Sequence, residues 1–69
     1  MNEVIEKAHI SAYNHIAAIV KTLSNQELSN SENVLFEVVG EAIPRCGSPY
    51  FKAANGAYHA VIGEIIARL

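Results

Sequence analysis

The apolar and polar positions of this chain fall into three stretches of helical period. From about Asn2 to Leu23, the residues Ile5, Ala8, Ala12, Ile16, Ile19 and Leu23 recur at steps of three and four. That spacing places them on one face of a helix. A second apolar row, Ile10, Tyr13, Ala17 and Val20, lies about a third of a turn round at ~100° per residue. Glu3, Lys7, Asn14 and Lys21 mark the wet side, with Glu3 and Lys7 at the i,i+4 spacing of an ordinary ion pair. A monomeric three-helix domain needs one apolar stripe per helix. Two stripes predict two neighbours, and the second row is a candidate contact with another copy of the chain.

The polar run "SNQELSNSEN", residues 24–33, predicts a loop. Ser29 and Glu32 stand at capping-box spacing, and Ser31 is an equally good N-cap. The stretch "ENVLFEVVGEAI" then predicts a short second helix, ended at or before Ile43 by Pro44. Its β-branched "VLFEVV" would also suit a strand. No second strand pattern exists in the chain to pair with it, and the capping signals before it favour helix. On that reading Val34, Leu35, Val38, Val39 and Ala42 line the apolar face, while Glu37, Gly40 and Glu41 stay wet.

A third helix opens at Ser48 and Pro49, a favoured N-cap followed by a favoured first position. It runs to Leu69, with a stripe of Phe51, Ala54, Tyr58, Val61, Ile62, Ile65 and Leu69. Beside the stripe stands a row of small residues: Gly56, Ala60, Gly63 and Ala67. Each glycine costs about 1 kcal/mol of helix propensity relative to alanine, so the row needs a reason. It forms a shallow groove where another helix backbone can come close. That helix belongs either to a second copy or to the same chain.

The pattern therefore predicts one compact all-α domain over residues 1–69, with two long helices flanking a short one, assembled as a homo-oligomer. The composition supports assembly. A chain of 69 residues has a marginal core of its own, and small domains add disulfides, metals or partners. Cys46 is the single cysteine and cannot pair internally. No C-x-x-C, H-E-x-x-H or paired Cys/His spacing is present, so neither a metal nor a cofactor is expected. Half the residues, 51%, are hydrophobic and 17% are charged, against roughly 25% in an average domain. A dimer is the default symmetric solution.

Charge narrows the partners. A net charge of −2 with five basic residues argues against nucleic-acid binding. The charged start "MNEVIEKAHI" lacks the apolar segment of a signal peptide. The longest charge-free run, Ala8 to Val20, is too short to span a membrane. The expectation is a cytoplasmic protein without membrane contact.

The segment "IPRCGSPYF", residues 43–51, is the stretch that departs from plain helix. As structure, Pro44 stops one helix, Gly47 permits a left-handed turn, Cys46 fills a half-buried position and Ser48-Pro49 starts the next helix. As a site, the start of the third helix offers unpaired N–H groups to an anion. Arg45 and Lys52 would add charge, Gly47 and Ser48 donors, and Tyr50 a flat face; Asn55 and His59 continue the edge begun by Lys52. That set suits a small anionic ligand such as a nucleotide.

Catalysis has little support. Cys46 lies near a helix start and Arg45, which favours a thiolate. His59 is the one base within reach of that argument, and no third orienting residue accompanies it. Glu37 and Glu41 share a wet face, the usual mark of solubility. His9 and His15, six apart on one helix, diverge by about 120° and cannot share a metal within a chain.

No stretch stands out as a family signature. Two functions from different classes follow. The first is a non-enzymatic helical protein that engages or inhibits another macromolecule, as short phage and mobile-element proteins do. The second is a binder of a small anionic ligand at residues 45–52, near a subunit boundary.

Overall fold

The computed structural model describes residues 2–69, with side chains described from Lys7 onward, so the expected roles of Glu3 and Ile5 lie outside the described residues. Three helices follow in order: α1 is Asn2–Val20, α2 is Asn25–Ala42 and α3 is Pro49–Ala67. A 3₁₀ turn, Ile43–Arg45, joins α2 to α3. The described residues contain no strand, so "VLFEVV" is helical.

The middle helix is not short. It has 18 residues against 19 in each neighbour, and the polar run read as a loop forms its first two turns. The cause is a capping box at Ser24 and Glu27, five residues before the expected one at Ser29 and Glu32. The Ser24 hydroxyl accepts from the Glu27 N–H at 3.1 Å, and the Ser24 N–H donates back to the Glu27 carboxylate at 2.8 Å. Those backbone contacts also hold the Glu27 carboxyl below its ordinary value. Once started, the turns need only one apolar anchor. Leu28 supplies it at 1% exposure, while Gln26 and Asn30 bond each other at 3.0 Å on the wet side.

α1 stops at Val20 instead of running to Leu23, and Lys21 to Ser24 reverse the chain. The Thr22 hydroxyl donates to the Ile19 carbonyl at 2.8 Å, and the Thr22 and Leu23 N–H groups close tight turns onto Ile19 and Val20. The second reversal ends at Ser48, whose hydroxyl accepts from the Phe51 N–H at 3.2 Å, with Pro49 opening α3 as expected.

Contacts fix the directions. His9 faces Gly56 and the Val20 carbonyl meets Arg68, so α1 and α3 run parallel. Asn25 meets Arg68 and Glu32 meets Tyr58, so α2 runs antiparallel to α3. Both outer helices pack on α3, the central element.

The core draws one large side chain from each helix: Val20, Leu28 and Val61, all at most 2% exposed. Ile16, Leu23, Leu35 and Ile65 pack around them. Burying a side chain of this kind stabilises by about 1.5–3 kcal/mol. Arg68 seals the same end. Its guanidinium donates to Glu64 at 2.9 Å, to Asn25 at 2.9 Å and to the Val20 carbonyl at 3.0 Å, tying all three helices.

Candidate functional site

At the turn before α3, Ser48 and the Arg45–Tyr50 pair already have local partners. The Ser48 hydroxyl donates to the Arg45 carbonyl at 2.7 Å while it caps Phe51, and the Ser48 N–H bonds the same carbonyl at 2.8 Å. The Arg45 guanidinium lies over the Tyr50 ring, 5.8 Å from its centre. That is a cation–π arrangement between exposed residues. Gly47 does not adopt the expected left-handed conformation, since no described glycine has a positive φ. The turn closes through the Arg45 carbonyl instead. Cys46 is exposed, not a half-buried filler. Lys52 and Asn55 are half-buried along α3, and His59, further along the same edge, is exposed.

The small-residue row resolves into two halves. Gly56 and Ala60 are buried against α1 within the chain. A Cβ at Gly56 would lie 3.1 Å from the His9 carbonyl carbon and closer still to its oxygen, so only glycine fits this crossing. The expectation that Gly56 and Ala60 face a second copy is corrected on that ground: their groove is filled by α1. Val20, assigned to the same surface, is corrected likewise, because it sits in the core at 2% exposure. Gly63 and Ala67 are exposed, and a Cβ at Gly63 would meet nothing nearer than the Tyr13 hydroxyl at 3.9 Å. Ile10 at 56% and Tyr13 at 40% remain on the surface, with Ala17 half-buried.

The Gly56 crossing creates a juxtaposition the sequence reading missed. The rings of His9 and His59 stand edge to face with centroids 5.7 Å apart, one from α1 and one from α3. The signal was present but indirect: His59 lies one turn after the glycine that draws the α1 backbone in. Among the described residues, no group of three or more His, Cys, Asp or Glu is placed to hold a metal.

Between α2 and α3 a cleft of about 400 Å³ opens over Leu28 and Ile65, rimmed by Asn25, Glu32 and Arg68. The Glu32 carboxylate accepts from the Tyr58 hydroxyl at 3.1 Å. Burial, then the bond and charge of Glu32, push the Tyr58 hydroxyl above its ordinary value. Because Arg68 is tied to three partners, the cleft offers no free cation from that residue.

The remaining feature is apolar surface. Val34, Phe36 and Ile43 on or just after α2 are 59–63% exposed, and Tyr50 at the start of α3 is 53% exposed. Among the described residues, no helix is long and apolar enough to cross a membrane, so these side chains do not belong to a span. Family models, curated proteins and solved structures were all compared with the chain, and none of them matches it.

Proposed function

We propose that the chain is a non-enzymatic, homo-oligomeric helical binding protein whose primary partner is a second copy of itself. What surface remains after assembly engages a further macromolecule. One observation carries the reading: Phe36 of α2, whose ring lies 6.1 Å from that of Tyr58 on α3, and Ile43 just after α2 are both about 60% exposed and stand two turns apart on one line. Gly40 lies between them at i+4 from Phe36, and a Cβ there would meet nothing within 4 Å. Large, small, large is a self-complementary profile. Two copies of this line, run antiparallel about a twofold axis near Gly40, set Phe36 of each beside Ile43 of the other. A standard interface covers about 800 Å² per partner, roughly a sixth of the 4703 Å² of accessible surface.

The test is native mass spectrometry of the gently purified protein at tens of micromolar. The expected mass is twice the 7.5 kDa of the chain, and Phe36→Glu is expected to return it to one chain with helicity intact. A monomeric wild type, or a Phe36→Glu variant of unchanged mass, overturns this reading. The same spectrum reports any retained anionic molecule, the outcome that would instead bring the turn at residues 45–52 forward as a site.

A further inference from the structure

We infer that the cleft between α2 and α3 is a binding site for a primary ammonium ion that carries an apolar tail. Its volume of about 400 Å³ falls within the range of small-molecule pockets, which set a few polar groups around an apolar floor. The floor is Leu28 and Ile65, and the exposed Leu69 forms the lip at one end. The two charged groups of the lining are not equivalent. Arg68 closes the Leu69 end with its charge met by the Glu64 carboxylate at 2.9 Å and its guanidinium spread over Asn25 and the Val20 carbonyl. Glu32 stands at the other end, seven residues along α2 from Asn25, or about 10 Å at ~1.5 Å per residue. One of its oxygens accepts from the Tyr58 hydroxyl at 3.1 Å. The other has no partner among the described residues, and neither of the ion pairs among them includes Glu32.

The charge left over in the cleft is therefore negative, and it sits at the edge of an apolar floor. A primary ammonium brings three N–H donors. One meets the free Glu32 oxygen, and another the Ser29 hydroxyl, three residues back on α2 and on the same rim. From there the tail runs over Leu28 and Ile65 toward Leu69 and covers apolar area that water otherwise wets. Glu32 is half-buried, so its charge is screened less than that of a carboxylate in open solvent. A small anion fits the same lining less well. Glu32 repels it, and the Arg68 charge that would attract it is already matched by Glu64. The site is separate from the turn at residues 45–52, and the inference does not rest on self-association.

The experiment follows the backbone amide resonances of the full chain by nuclear magnetic resonance while n-hexylammonium chloride is added at neutral pH. Saturable shifts at Asn25, Ser29 and Ile65 are expected, with a Kd on the order of a millimolar for a probe of this size. Hexanoate, an apolar tail of similar length with the opposite charge, is expected to bind about tenfold more weakly or not at all. Glu32→Gln keeps an oxygen to accept from the Tyr58 hydroxyl, so the fold should survive, which circular dichroism checks. It is expected to weaken hexylammonium binding by about tenfold or more. Glu37→Gln removes an exposed carboxylate of α2 that does not line the cleft, and is expected to leave binding unchanged. No saturable shift in the wild type overturns the proposal, and so does hexanoate binding of equal strength. Binding that survives Glu32→Gln, or that Glu37→Gln weakens as much, overturns it too.

Discussion

Around Val20, Leu28 and Val61, α3 is held by large side chains from both neighbours and by the Arg68 guanidinium. Around His9 and Gly56 it is held by backbone lying against backbone. The first region removes apolar area from water, and its stability scales with that area. The second removes little area and depends on shape, since a single methyl group would part the helices. One central helix thus carries two kinds of contact, a greasy one that tolerates resizing with graded loss and a steric one that does not. The chemistry divides the same way. The greasy end has its polar groups tied in mutual bonds, while the steric end brings two histidines together and leaves Phe36, Ile43 and Tyr50 uncovered nearby along α2 and α3.

The largest way to break this contrast is Leu28→Ala. Leu28 is 1% exposed and is the sole large anchor of the first two turns of α2. Truncating a buried leucine costs about 2–5 kcal/mol, and a domain this size has only about 3–10 kcal/mol in total. Urea denaturation is expected to show most of the stability gone. A loss below about 1 kcal/mol would mean that the core cluster does not govern this end.

A smaller effect separates two glycines that look alike in sequence. Gly56→Ala gains about 1 kcal/mol of helix propensity but drives a methyl group into the His9 carbonyl, for a net loss of about 1–2 kcal/mol. Gly63→Ala meets only the Tyr13 hydroxyl at ordinary contact distance, so the propensity gain of about 1 kcal/mol survives as stabilisation. Opposite signs in matched denaturation curves are the expected result. Equal signs would show that the crossing at Gly56 is looser than its geometry.

Those glycines show how far the sequence could be read. The small-residue row announced a close helix contact, but a row cannot say which helix fills it. The partner was fixed by the parallel course of α1 and α3, a tertiary fact. The helical period of α1 and α3 and the Ser48-Pro49 start were legible because each is a local signal, but the inward face was legible only in part: Ile19 and Leu69, expected on the apolar stripes, are 42% and 99% exposed, while Val20 from the second row is buried. The start of α2 was not, for a physical reason. Ser and Asn compete for backbone bonds and so resemble a loop, yet on a helix they simply make a wet face. One buried leucine, at i+4 from a capping serine, was enough to decide the matter, and its partners lie in other helices. The contact of His9 with His59 was less legible still. His9 and His59 are 50 positions apart, and periodicity carries no information about a pair across two helices.

The finest test compares the two serine caps. Ser24 begins α2 with a reciprocal bond to Glu27, whereas Ser48 begins α3 with no acidic residue in the first turn. Either serine replaced by alanine is expected to cost about 1 kcal/mol at neutral pH. Their pH dependence should differ. The folded-state carboxyl of Glu27 is held below its ordinary value of 4.5 by its bonds to Ser24, backbone first. A group whose folded value is depressed contributes its stability above the unfolded value and loses it as acid protonates the folded state. Ser24→Ala keeps the backbone N–H that gives the larger part of that depression and removes only the hydroxyl's part, so its cost should shrink slightly as pH falls through and below the ordinary carboxylate range. The cost of Ser48→Ala should stay level over the same range, because its hydroxyl bonds only to backbone. Paired urea curves at neutral and acid pH read the difference directly. A Ser24→Ala cost that does not change with pH would show that the Ser24 hydroxyl adds nothing to the hold on the Glu27 carboxylate, and that the two serine hydroxyls cap in the same way.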